Sequence, residues 1–129
     1  SEAASVLEGG LGYPVLKLPE TYQLSPAVIG IAAGGEGYIR YREGVSNDRY
    51  LDLLTIREEE HEFAGQSGIA MTEKEIADVP VEVGEGTGET EGMNFACWEH
   101  GGLSYAVTSF GHTEEEFAQV LEDLVKTTE

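Results

Sequence analysis

The chain has 129 residues, enough for one domain with a real core, and 40% of them are apolar. Its 25 Asp and Glu outnumber 7 Lys and Arg, for a formal charge of −18. Seven scattered cations cannot build the basic face that displaces counterions from phosphates, nor one that holds anionic headgroups, so neither nucleic acid nor an anionic membrane surface is an expected partner.

The first element expected is a short helix from about Ala3 to Leu7, closed by the glycines of GGLG. In YPVLKLPETYQL, Pro14 and Pro19 enforce an extended, turning path. LSPAVIGIAA and GYIRYRE read as two strands around Gly34 and Gly35. A three-residue loop, Gly34 to Glu36, sets Ile31 opposite Ile39 and Ile29 opposite Tyr41, whereas a two-residue loop pairs Ile29 with Arg40. Apolar should meet apolar, so the longer loop is preferred, with a glycine-assisted bulge. Gly44 to Asp48 supplies a turn, and YLDLLTIRE is the third strand.

Residues 58 to 75, EEEHEFAGQSGIAMTEKE, show no sustained period and read as a long loop. EIADVPVEVGE restores alternation, with Val79, Val81 and Val83 on one face and Pro80 demanding an edge position or a bulge. GEGTGETEG is a charged connection. MNFACWEHGGLSYAVTSF is a hairpin about Gly101 and Gly102, setting Trp98 opposite Tyr105 and Ala96 opposite Val107. The last element, HTEEEFAQVLEDLVK, is a helix. Thr113 and Glu116 form a capping-box pattern, the first-turn glutamates and Lys126 match the helix dipole, and Phe117, Val120, Leu121 and Leu124 define a buried face. Helix, about six strands in antiparallel meanders, and a closing helix make an α+β single domain over residues 1–129, both helices packed on the sheet.

No apolar run approaches the roughly 18 residues that cross a bilayer. No basic-then-apolar opening marks a signal peptide, and residues 1–5, SEAAS, suit a point where a leader or anchor was removed. The acids are nearly all Glu, with four Asp, and read as a solubilising surface.

Chemistry-bearing patterns are incomplete throughout. His61-Glu62 begins like a zinc-protease HExxH, but position 65 is Gly. His61, His100 and His112 are widely spaced and read as ordinary partly exposed histidines rather than zinc ligands with Cys97. Cys97 stands alone among acids and reads as a small buried hydrophobe. GEGTGETEG lacks the Lys-Ser/Thr of a phosphate loop, and its glutamates repel phosphate. Glu85, Glu89 and Glu91, or the run Glu58 to Glu62, offer hard oxygens, but the EF-hand pattern is absent and a solvated acidic surface is expected. Ser5, Ser104 and Ser109 lie outside any nucleophile-elbow context. No catalytic, cofactor-binding or metal-ligating residue is therefore nominated.

Trp98, Gly101, Gly102, Tyr105, Glu115, Phe117, Leu121 and Leu124, in WEHGGLSYAVTS and the capped helix after it, resemble a bacterial family of unknown function. Its members are extracytoplasmic C-terminal domains of anti-sigma-factor-like membrane proteins and of lipoproteins. YPVLKLPETYQL is similar to that family's entry segment, and Tyr38-Ile39-Arg40-Tyr41 to its next strand, while residues 58 to 75 align with nothing in it. The resemblance implies a non-enzymatic, extracytoplasmic sensor or accessory domain, without cofactor, whose partner is a protein or envelope component. A binder of lipid or another small apolar ligand is the alternative, since a curved sheet under a helix can hold a cavity. A hydrolase is a third class, for which no constellation presents itself.

Overall fold

The C-terminal hairpin organises the molecule, because its two strands carry long, nearly continuous runs of buried residues. In the computed structural model, which describes residues 2–43 and 48–129, these strands are flanked on both sides. Numbered in chain order, the elements are α1 (Glu2–Leu11), β1 (Pro26–Ile31), β2 (Gly37–Arg42), β3 (Tyr50–Ile56), β4 (Thr72–Ile76), β5 (Val79–Glu85), β6 (Met93–His100), β7 (Leu103–Phe110) and α2 (Glu114–Thr127). The seven strands form one sheet in the order β1-β2-β3-β7-β6-β5-β4, every neighbouring pair antiparallel. The pairing of β3 with β7 joins an N-terminal and a C-terminal meander. The turn expected over Gly44 to Asp48 lies, Asp48 apart, outside the described residues.

The hairpin register is the expected one, with Trp98 opposite Tyr105 and Ala96 opposite Val107. Gly101 and Gly102 have φ of +62° and +82°. That is the all-positive turn whose twist suits a two-residue hairpin, and only glycine takes it without strain. The first face of the sheet carries Ile39, Tyr41, Leu51, Leu53, Val81 and Val107, all buried under the helices. Trp98 is 4% exposed, stacks on Tyr105 at 5.4 Å and donates its indole N–H to Thr128 Oγ1 at 3.2 Å, tying the hairpin to the end of α2.

Between the helices, residues 13–18 cross this face in extended form. Their amides find side-chain acceptors: Leu16 N–H donates to Thr55 Oγ1 (2.8 Å) and Leu18 N–H to the Tyr41 hydroxyl (3.2 Å). Val15 N–H donates to Glu8, which also holds Lys17. Tyr22, in a 3₁₀ turn at Glu20–Tyr22, donates its hydroxyl proton to Asp123 of α2. The proline-directed path is thus bonded to sheet and helix alike.

The expected elements need correcting in four places. Helix α1 continues through Gly9 and Gly10 to Leu11 instead of ending near Leu7. Ala4, Leu7 and Leu11 all pack into the core, and that burial offsets the roughly 1 kcal/mol each interior glycine costs. In the first hairpin Ile29, not Ile31, faces Ile39, and the loop spans five residues, 32–36. Glu36 is drawn in to 5% exposure by a hydrogen bond with His61 at 2.7 Å, which consumes the extra loop residues. The shift is by two, so Val28 to Ile31 keep their expected faces, and a bulge between Pro26 and Val28 resets the register only at the start of β1.

The third correction adds a seventh strand. β4, TEKEI, pairs with β5 through a two-residue turn at Ala77 and Asp78, both at positive φ. Pro80 sits where β5 has β4 alone for a neighbour, because pairing with β6 begins only at Glu82, so its edge position is local. The fourth concerns residues 58–71, which are not a loose excursion. They cover the second face of the C-terminal half-sheet, burying Phe63 against Ile56 and Ala106. Gln66, in a 3₁₀ turn at Ala64–Gln66, donates its amide to the carbonyls of Ala96 (2.9 Å) and Val107 (3.3 Å).

Candidate functional site

Helix α2 starts where the capping box requires: Thr113 Oγ1 accepts the Glu116 N–H (3.1 Å), and Glu116 accepts the Thr113 N–H (2.9 Å). This fixes the rotation of the helix, so that Phe117, Val120, Leu121, Leu124 and Val125 face the sheet. Glu114, Ala118 and Glu122, four residues apart, then line up along one flank. That flank overhangs β4 and β5 without closing on them. The gap between is a groove of about 790 Å³, within the range of ligand pockets.

Phe117, Leu121, Val83 and Ile76 give the groove an apolar lining. Glu75 on β4, Glu85 on β5, and Glu114 and Glu122 on α2 bring carboxylates to it, and Lys74 is the cation among the lining residues. Glu122 is partly occupied by Lys126 at 3.6 Å. Glu85 and Glu114 face each other: a hydrogen bond to Glu114, and then the charge of Glu114, hold the Glu85 carboxyl above its ordinary range. Like charges this close disfavour one another, and a cation placed between them would relieve that repulsion.

At the same helix end Glu116 behaves oppositely. A hydrogen bond from Arg49, then that of the Thr113 amide, lowers its carboxyl to about 2. A group depressed in the folded state stabilises it above the unfolded pKa and loses that contribution as pH falls toward the folded one. Between about pH 5 and pH 2 the wild type should therefore lose more stability than Glu116→Gln, which has no carboxyl to titrate. Parallel unfolding curves for the two proteins across that window would show the assignment of this carboxyl to be mistaken.

A second depression, of about 550 Å³, lies on the opposite side of the sheet and collects several residues with chemical potential. Cys97 lines it beside Glu82, 3.5 Å from the sulfur. Burial first, and the Glu82 charge second, push its thiol up to about 12, the reverse of what a nucleophile needs. His61 is engaged by Glu36 at 2.7 Å and Glu58 at 3.4 Å, with its ring edge on Phe63. Ser104 donates to the Glu58 carbonyl. Ser109 lies on the other face and takes a hydrogen bond from Asn94 at 3.3 Å, and Ser5 is within α1. The Cys97 thiol thus meets a carboxylate whose charge disfavours the thiolate, and the Ser104 and Ser109 hydroxyls meet a backbone carbonyl and an amide rather than an imidazole.

The histidines are not gathered. His100 ends β6, and His112 precedes α2, where burial and then the Arg49 charge hold its imidazole below the ordinary range. Glu85 joins the groove, while Glu89 lies in a 3₁₀ turn at Gly88–Thr90 with Glu91 just beyond. Among the described residues no three or more His, Cys, Asp or Glu side chains are placed to hold a metal ion.

The groove itself was not legible without β4, since one of its walls is the unrecognised strand. The usable signal was Thr72, Lys74 and Ile76 alternating opposite Val83, Val81 and Val79. No family model, curated protein or solved structure matches the chain.

Proposed function

We propose that the chain is a non-enzymatic sensor or accessory module of a bacterial envelope protein, and that it binds a small amphipathic cation in the groove between α2 and the β4–β5 hairpin. The observation that carries the binding role is the composition of that groove, an apolar lining with facing carboxylates at Glu85 and Glu114. An apolar body would replace water along Phe117, Leu121 and Val83, at roughly 25 cal/mol per Å² covered. A cationic head would sit between Glu85 and Glu114 and relieve the repulsion of their like charges. The envelope setting is supported by the resemblance of the β6–β7 hairpin and capped helix, whose quoted residues form one physical unit through Trp98, Tyr105 and Thr128.

The reading narrows the apolar-ligand alternative to cations, because a fatty-acid carboxylate would enter beside like charge. Calorimetric titration with dodecyltrimethylammonium below its micelle threshold should give saturable binding, and dodecanoate none. Glu85→Gln with Glu114→Gln should weaken the cation about fivefold or more, as loss of two charges at contact range implies. Equal binding of the anion, or no saturable heat with the cation, would overturn the proposal.

A further inference from the structure

The two edges of the sheet are built in opposite ways. β4 alternates Glu73, Lys74 and Glu75, the charged guarding that keeps an edge from pairing with another chain. β1, at the other edge, reads PAVIGI and lies within residues 21–35, fifteen consecutive residues without a charge and the longest such stretch in a chain of −18. Val28 and Ile31 are exposed there, Ile31 at 64%. Among the described residues no strand lies beyond β1.

The hydrogen-bond phase of this edge can be worked out. Ala32 N–H donates to the Glu36 carbonyl at 2.8 Å, and Gly30 and Val28 follow as the partners of Tyr38 and Arg40. Antiparallel ladders alternate, so the even-numbered residues bond to β2, and Ile29 and Ile31 turn their N–H and C=O groups outward. We infer that β1 is a homodimerisation edge, pairing antiparallel with β1 of a second copy about a twofold axis through Gly30. That axis sets Ile29 against the second copy's Ile31 and Ile31 against its Ile29, on one face and with outward backbone groups in register. Gly30 meets its own counterpart, and a Cβ added to it has no neighbour within 4 Å.

Charge selects this occupant over a foreign strand. A partner drawn to so acidic a molecule would be basic, and a basic strand needs carboxylates across from it, which β1 does not provide. An identical strand is uncharged over the whole contact and self-complementary, as a twofold interface demands. The two bodies still repel at long range, so association should tighten with salt.

Sedimentation from about 10 to 500 µM protein should show a mass rising from 13.9 kDa toward twice that value, with an apparent Kd lower in about 0.3 M sodium chloride than in low salt. Ile31→Lys should abolish the dimer while leaving circular dichroism unchanged, and Tm unchanged at concentrations where both proteins are monomeric. Gly30→Cys, made with Cys97→Ala, should form a disulfide between copies on mild oxidation, since directly opposed Cα atoms of a non-hydrogen-bonded pair lie about 4.5 Å apart. A monomer throughout the range, a dimer that survives Ile31→Lys, or cysteines that stay reduced in the dimer would each overturn the inference. Should Ile31→Lys disturb folding, the cysteine pair decides alone.

Discussion

Phe117→Ala should lower the unfolding free energy by about 3–5 kcal/mol, the range for emptying a buried aromatic site. Thr113→Ala should cost only about 1 kcal/mol, the usual loss of an N-cap. Both residues belong to the first turns of α2, so the contrast separates packing from capping within one helix. Phe117 is 7% exposed and meets the sheet at the apolar wall of the groove, while Thr113 holds an exposed capping box. Its truncation would lengthen the groove inward, and a partial refilling by an amphipathic ligand should return some of the lost stability. Chemical denaturation of the two variants checks the ranking. A Phe117→Ala penalty no larger than that of Thr113→Ala would mean the helix is turned away from the sheet.

The parts of the fold that could be read from the sequence are those where local pattern and tertiary burial agree. Helix α2 combines a cap, a dipole-matched charge order and a 3.6-residue apolar stripe, and all three point to the same boundaries. The β6–β7 hairpin likewise joins apolar alternation to a Gly-Gly turn. The missed elements are those that lack a local turn or cap signal, or whose stabilising partner is remote. Ala77 and Asp78 make a positive-φ turn without glycine or asparagine, so no turn residue announced the β4–β5 hairpin and only its alternation did. β4 presents charge outward, because its backbone pairing with β5 holds it in place rather than a buried face of its own. Gly9 and Gly10 argue for a helix end on propensity alone, and only Leu11 against the core reverses that. The groove inherits both errors and successes: its α2 wall was predictable, its β4 wall was not.

The largest consequence of the misread segment falls on Phe95. Alternation along β6 sends Ala96 and Trp98 to the helical face and Phe95 to the opposite one, where a loose loop over residues 58–75 would have left it in water. Instead Phe95 is 1% exposed. Its partner across the ladder is Gly84, at which a Cβ would fall 2.6 Å from the Ala70 carbonyl oxygen and 2.7 Å from Met71 Sδ. The covering segment therefore approaches the backbone of β5 so closely that a methyl group cannot fit. Phe95→Ala should consequently cost about 3–5 kcal/mol, the same as Phe117→Ala, although the two lie on opposite faces of the sheet. Gly84→Ala should cost about 1–3 kcal/mol by forcing the segment outward rather than by leaving a void. The two lesions should differ in hydrogen exchange. Gly84→Ala should loosen amides near residues 69–71 selectively, whereas Phe95→Ala should lower protection across β6 and β7, which are interior strands of the sheet. A Phe95→Ala penalty below about 1 kcal/mol would be that of an exposed site, and would mean that residues 58–71 do not close the second face.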